Sequence, residues 1–563
     1  MHTDQTRQIV RHLHQRPRAR VLVVGGGING VATFRDLALQ GVDVTLVERG
    51  DYCQGASGAS SHMIHGGIRY LENGEFRLVH ESVQERNNLL EVAAHHVKPL
   101  RTTIPIFSTF SGILSAPLRF LTHRSGKPTE RGAVLIKLGL MMYDAFAGIK
   151  RNTPWHTFVG RRGSLAALPH LRDDVKYTAT YFDASVHNPE RLTLDVLRDG
   201  LAANPQARAV NYVSLVGNDG GAATLRDELT GETFEFAADV IVNATGAWTD
   251  QTNTDMGAPT RYMGGTKGSH IVLDHPELHA ACAGREIFFE HTDGRIVLIY
   301  PLGDRVLVGT TDIDADMSVD AVCTEEEVDY FFDLVSHVFP AIRLERSQIV
   351  YRFSGVRPLP RHDDTAPGFV SRDYRIERRE AGNVVLSLVG GKWTTFRAVA
   401  EELTDHVLGE VGLSRSVQTT RLPIGGGRNY PTTDDGRRAW VAARTEYAST
   451  ERLHVLLERY GTRADDVLPY LQHDDAPVSG LGDPNELSTA ELAYMVDHEQ
   501  IGHLIDVLVR RTALAFRGLV NRELVAAIAD ELARRLGWDA DRRAEEIRGC
   551  EKVLLDLHQV ELV

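Results

Sequence analysis

The sequence predicts an α/β fold followed by an all-α region. It divides into a Rossmann-like dinucleotide-binding domain, a second domain on a more antiparallel sheet, and a C-terminal helical domain. Three observations carry this expectation. An apolar strand at residues 21–24 runs into Gly25, Gly27 and Gly30 at G-x-G-x-x-G spacing; a helix-like stretch then leads to a second strand, 42–47, ending in Glu48. Alternating apolar segments follow at 270–273, 295–300 and 305–309. Near the end, Leu524, Ile528, Leu532 and Leu536 step by four before Gly537, as in a helix with a glycine C-cap.

Each part of the opening unit has a physical task. Gly25 permits a tight turn, Gly27 lets the backbone approach a pyrophosphate, and Gly30 lets helix and strand pack closely. The phosphates are expected at the positive helix N-terminus, with Asn29 in the same turn. Glu48 is placed to accept hydrogen bonds from an adenosine ribose.

The bulk properties set limits. A chain of 563 residues is too long for one ordinary core. The net charge of −14 argues against a nucleic-acid partner, because neutralising phosphates needs a basic surface. Cys53, Cys282, Cys323 and Cys550 form no CxxC pair, and no His/Cys/Asp/Glu set has metal-ligand spacing. A reducing compartment and no metal are expected. No stretch approaches the roughly 20 apolar residues of a spanning helix.

The expected organisation follows the pattern shifts. Residues 1–17, polar and basic, read as a flexible extension and not a secretory signal. Residues 18–100 open the nucleotide-binding domain, completed by about 190–258 and 351–412. Residues 101–189 and 259–350 form the second domain, and 413–563 the helical one. Residues 75–96 read as an amphipathic helix through Phe76, Val79, Val83, Leu89 and Leu90, closed by Pro99. Segment 101–150 mixes Ile104, Phe107, Phe110, Ile113, Leu114, Leu118, Phe120 and Leu121 with Arg119, Arg124, Lys127, Arg131 and Lys137. It suits either an interfacial membrane contact, the preferred reading, or an insertion packed on the protein's own body. A buried strand ends at 243–246 after a hairpin-like region. A later strand, turn and helix at 383–395 return to the first sheet. Residues 423–431 read as a linker, and Ser488-x-x-Glu491 as a capping box.

Three segments favour FAD over NAD. Residues 56–61 run close to an isoalloxazine edge. The 243–246 strand end passes the pyrophosphate side. Gly390-Gly391 bring backbone N–H groups at a helix N-terminus toward the ring, where negative charge develops on reduction.

At this point a family resemblance emerges. Ile64-His-Gly-Gly-Ile-Arg-Tyr-Leu-Glu72, Lys267-Gly-Ser-His-Ile-Val272, Gly309-Thr-Thr-Asp312, Ser354-Gly-Val-Arg-Pro-Leu359 and Gly390-Gly-Lys-Trp-Thr-Thr395 resemble the ordered motifs of the FAD-dependent glycerol-3-phosphate dehydrogenases, the quinone-linked, membrane-peripheral type. The resemblance runs from about residue 20 to 400, with a tail similar in character to that family's helical domain. It implies an amino-acid-oxidase-like substrate domain. The implied reaction is oxidation of sn-glycerol 3-phosphate to dihydroxyacetone phosphate, with electrons passed through FAD to membrane quinone. Trp393 and Ala247 depart from the family pattern and put the pocket's shape in question more than the reaction.

The resemblance places Arg69, Arg357 and Lys392 near the substrate, where guanidinium forks and an ammonium suit a phosphate dianion. Tyr70 and Thr395 join the substrate set, Tyr70 either donating a hydrogen bond or simply packing. His270 is the expected base, since an imidazole is poised to take the alcohol proton, and Arg357 shares the catalytic role at the C2 oxygen. The cofactor-binding set is Gly25, Gly27, Asn29, Gly30, Glu48, Ser60, Ser61, His65, Gly66, Gly246, Trp248, Gly390, Gly391 and Thr394. Expected partners are sn-glycerol 3-phosphate, membrane quinone and the inner face of the cell membrane, reached from the cytoplasm, with a homodimer left open. A soluble O2-using oxidase of glycerol phosphate or an amino acid, and a non-catalytic flavin-binding scaffold, remain alternatives.

Overall fold

The computed structural model describes residues 5–68, 75–109, 132–147, 153–317, 319–361, 373–472 and 475–563. Two sheets organise it. The first has strands in the order Arg375–Ala381, Asn383–Val389, Thr233–Asn243, Arg18–Val24, Val44–Val47, Arg208–Val210, with a hairpin Val213–Asp219/Ala222–Asp227 joined to Thr233–Asn243. The central strands are parallel and in step: Val24 lies beside Asn243 and Val47, and Asn243 beside Ser387. Their C-terminal ends therefore share one edge, where the glycine turns emerge.

Both faces of this sheet are covered, which explains the continuous apolar runs. Val21 and Val23 point to a core with Phe34 and Leu37 of helix Ile28–Leu39, Val196 of Pro189–Ala203 and Val399 of Phe396–Glu410. Leu22 and Val24 point the other way, toward Leu225, Phe236, Val10 and Leu13. The last two belong to helix Gln5–Gln15, so the expectation of a flexible extension is corrected. The polar run 5–15 carries an apolar stripe at helical spacing, which caps the exposed sheet face.

Among the described residues the second sheet has ten strands, mostly antiparallel. Val97–Ile106 pairs with Tyr177–Val186, and Thr266–Leu273 with both Arg305–Gly309 and Ile349–Arg357. The expected boundaries near residues 100 and 350 thus fall inside strands. Pro99, expected to close a helix, sits in one of them; the helix ends earlier, at Phe76–Val92. Ile104 lies in the same strand, and Phe107 just beyond it is covered by the Arg172 guanidinium at 4.0 Å. For these two the packed reading holds, whereas residues 110–131 lie outside the described set. One sheet face packs Ile271, Leu273 and Val308 on helix Glu325–Val338. The other carries His270, Tyr351 and Phe353.

The helical domain shares one core with the second sheet, where Leu524, Ile528 and Leu532 are fully buried in a cluster with Val272, Leu298 and Phe353, and Gly537 stands in the left-handed region at φ 74°. Ser488 Oγ accepts from Glu491 N at 3.3 Å. The Glu491 carboxylate turns instead to Arg452 and Arg459, so only half of the capping box forms. The expected linker at 423–431 contains a tight turn, Gly425–Gly427, buried between the Asp195 side chain and the Tyr460 backbone. Among the described residues no helix is long and apolar enough to cross a membrane.

Gly30 leaves no room for a side chain. A Cβ there would overlap the Gly25 carbonyl oxygen. Gly30→Ala is expected to cost about 1–3 kcal/mol, as overpacking does, and to weaken cofactor binding. Chemical denaturation and flavin content of the purified variant check both.

Candidate active site

A cleft of about 1190 Å³ opens at the shared edge of the first sheet. Gly25, Gly27, Asn29, Glu48, Gly246, Trp248 and Gly390 all line it. The backbone makes the space. Gly25 has φ 111°, and a Cβ would lie 2.7 Å from the Ala244 oxygen. Gly246, Gly390 and Gly391 are also left-handed, and a Cβ on Gly391 would sit 2.8 Å from Asn29 Nδ2. Asn29 Oδ1 is buried without a hydrogen-bond partner, a polar atom directed at this space.

Glu48 closes the end of the cleft. Its carboxylate accepts from Gly26 N at 2.6 Å and Gly50 N at 2.9 Å. Burial pushes its carboxyl up, against the pull of those two N–H groups. Beyond it, the Arg49 guanidinium lies 4.5 Å over the Trp248 ring, forming an aromatic wall.

The other end of the cleft meets the second sheet. Ser57, within the 56–61 segment, is the joint: its Oγ accepts from Ile28 N at 3.0 Å and its carbonyl from Trp393 Nε1 at 2.8 Å. Trp393 is thereby turned into the domain, a use for its indole that the family pattern does not reveal. Ser60 Oγ is turned back on His62 N at 3.2 Å and serves the local turn. Ser61 Oγ meets His270 Nε2 at 2.8 Å.

His270 stacks on Phe353 with ring centroids 4.8 Å apart, and its Nδ1 has no partner. Burial, then the Arg357 charge, lowers its pKa well below 6.5, which favours the neutral imidazole. Glycines make room for both candidate catalytic groups: a Cβ on Gly309 would overlap His270, and one on Gly268 the Arg357 guanidinium. Strand pairing sets Thr266 opposite Arg357 and His270 opposite Phe353, putting His270 and Arg357 on one sheet face. Arg357 bonds Asp312 at 3.0 Å and Thr310 Oγ1 at 2.9 Å. Lys392 Nζ donates to Ser82 Oγ at 2.7 Å.

The His65–Gly66 peptide is clamped at both polar atoms. Thr394 Oγ1 donates to the His65 carbonyl at 3.1 Å, while Gly66 N donates to Tyr143 Oη and Asp183 Oδ1, each at 3.0 Å. Gly66 therefore supplies close backbone packing, its N–H being taken by Tyr143 and Asp183. Arg86, buried, completes the clamp by bonding Tyr143 at 2.7 Å and Asp183 at 3.1 Å. No sequence motif flags Tyr143, Asp183 or Arg86. Thr395 is fully buried with an unpartnered Oγ1. Arg69 and Tyr70 lie outside the described residues.

Among the described residues, the grouping of His and carboxylate with metal-like closeness is His95, His96 and Asp195. Asp195 is already engaged by His95 at 2.6 Å and Arg463 at 3.2 Å. With Arg191 and Lys98 adding positive charge, the cluster behaves as an interdomain ion network.

Residues 20–406 match the family of FAD dependent oxidoreductases, and 417–543 the C-terminal domain of alpha-glycerophosphate oxidase. A glycerol-3-phosphate dehydrogenase of Synechocystis sp. is 33% identical, over 96% of this chain and 95% of its own. A D-erythritol 1-phosphate dehydrogenase of Brucella abortus is also 33% identical, over 87% of this chain and 93% of its own. Among solved structures, the FAD complex of a Bacillus halodurans glycerol-3-phosphate dehydrogenase shares the fold. It has a TM-score of 0.76 and 23% identity, and covers 99% of this chain and 98% of that one. The glycine cradle, the Glu48 wall and the orphaned Asn29 oxygen fit such a cofactor. The chain belongs to the FAD dependent oxidoreductase family, in its glycerol-3-phosphate dehydrogenase branch, and FAD is its cofactor.

Proposed function

We propose that the protein oxidises the C2 alcohol of sn-glycerol 3-phosphate to dihydroxyacetone phosphate. The observation that carries this is His270 and Arg357 on one face of a strand pair whose Phe353 and Val356 line the FAD cleft, in a chain with a near full-length glycerol-3-phosphate dehydrogenase relative. FAD, when bound, supplies the acceptor for the hydride leaving C2. The alcohol proton is taken at His270 Nε2, through the Ser61 hydroxyl that already touches it. Arg357 holds the C2 oxygen as charge develops there, oriented by Asp312 and Thr310. Lys392 and Arg69 take the phosphate. A D-erythritol 1-phosphate substrate is the second reading, favoured by the equally similar Brucella relative; the same groups serve a longer polyol phosphate.

Electrons pass on to membrane quinone, with the protein lying on the inner membrane face. Helix Ala133–Ala147 supports this reading. Val134, Leu138 and Met141 are exposed along one side of it, with Trp155 exposed nearby.

Anaerobic addition of sn-glycerol 3-phosphate is expected to bleach the flavin, whereas glycerol without phosphate does not. Bleaching by D-erythritol 1-phosphate alone would establish the second reading, and peroxide release at full turnover without quinone would remove the quinone assignment. His270→Ala is expected to slow flavin reduction by about 10²–10⁴, the usual contribution of a positioned base. Because the folded pKa of His270 is lowered, its base form persists as pH falls through 6.5. The acid limb of flavin reduction at saturating substrate is therefore expected below that pH, read by stopped flow. Arg357→Ala should abolish turnover with FAD retained, and Lys392→Ala should act mainly on KM. The double variant Leu138→Asp, Met141→Asp should lose flotation with anionic vesicles; unchanged flotation removes this helix as the contact.

A further inference from the structure

The helical domain carries no assigned chemistry, yet it grips the loop that follows Glu48. Asp51, fully buried, accepts at Oδ2 from Arg510 Nε at 2.5 Å and Arg511 Nη1 at 2.6 Å. Its Oδ1 accepts from Arg511 Nη2 at 2.9 Å and Asn211 Nδ2 at 2.8 Å. Both arginines come from one wide turn, Val507–Arg511, closed by a five-residue hydrogen bond from Thr512 N to Val507 O at 3.0 Å. The neighbouring Tyr52 hydroxyl bonds Gln500 at 3.0 Å, also from the helical domain.

A second contact reaches the same end of the cleft. Tyr212, which lines it, stands in the left-handed region at φ 58°, a costly conformation for a bulky residue. Its hydroxyl donates to Asp506 Oδ1 at 2.7 Å, its ring meets His503 at 4.8 Å, and its N–H bonds the Gly50 carbonyl at 2.9 Å. A Cβ on Gly502 would overlap the Tyr212 ring, so the surfaces fit without slack. Gly50 N in turn bonds Glu48 Oε1. Every step from Arg511 to the ribose-binding carboxylate is therefore a direct contact.

We propose that the helical domain is the retention element for FAD: through Asp51 and Tyr212 it holds Glu48 and the adjoining wall in the shape that closes on the adenosine half of the cofactor. The energetics favour such a device. Burial alone would raise the Asp51 carboxyl, but Arg511 and Arg510 hold it well below the usual carboxylate range. Parting the domains would leave that charge buried or drag the loop outward, and breaking such pairs is strongly destabilising. Asp51 and Tyr212 act as positioning residues, whichever polyol phosphate is the substrate.

The test is FAD release from the full-length holoenzyme, followed by recovery of free-flavin fluorescence on dilution. Asp51→Asn and Arg511→Lys are each expected to weaken FAD binding at least tenfold. Tyr212→Phe, which removes only the bond to Asp506, should speed release several-fold. Glu491→Gln, which loosens the helical domain's own buried pairs with Arg452 and Arg459, should leave FAD affinity within twofold of wild type. Wild-type affinity in folded Asp51→Asn, or equal loss in Glu491→Gln, overturns the proposal. If Asp51→Asn fails to fold, Tyr212→Phe decides, and an unchanged release rate overturns it.

Discussion

The close approach of Gly25, Gly30 and Ala244 governs the rest of the molecule. With no side chains between them, helix Ile28–Leu39 sits directly on the ends of two parallel strands. That contact fixes where the helix N-terminus points, and Ser57 then bonds to it. Ser57 brings Trp393 and the third glycine turn into place. The cleft is thus the visible end of a chain of backbone contacts that starts with three missing or minimal side chains.

The second sheet is tied to this frame by contacts of the same kind. Gly355 admits Ala59 against its backbone, and Ser61 reaches His270. The loop at 56–61 therefore touches the cofactor cleft on one side and the candidate base on the other. Small residues there let two domains share one loop, so the placement of His270 depends on the order of the cofactor site.

Legibility in the sequence followed the range of the interactions. The opening β-α-β unit, the strand at 383–389 and the helix ending at Gly537 were readable because each is specified by local periodicity and a glycine. The motifs around His270, Arg357 and Lys392 named the candidate site residues through family resemblance alone. What stayed hidden is long-range and polar: Asp51 with Arg511, Tyr143 with Gly66, Trp393 with Ser57. A buried charge pair hundreds of residues apart leaves no periodic trace. The helix at 5–15 was missed for a different reason. Its apolar stripe is only a few residues wide and becomes meaningful only once a sheet face needs cover.

The order of these pieces along the chain has a consequence for synthesis. The cleft wall at Glu48 is made early, but the Gly390–Gly391 turn that also bounds the cleft emerges more than 300 residues later. The first sheet stays an incomplete ladder while the whole second sheet is being made, because its strand Asn383–Val389 is still missing. A nascent chain of this protein must hold an open sheet edge through most of translation. Supply of the cofactor at the ribosome, and of chaperones that shield such edges, then becomes a determinant of how much active protein a cell obtains.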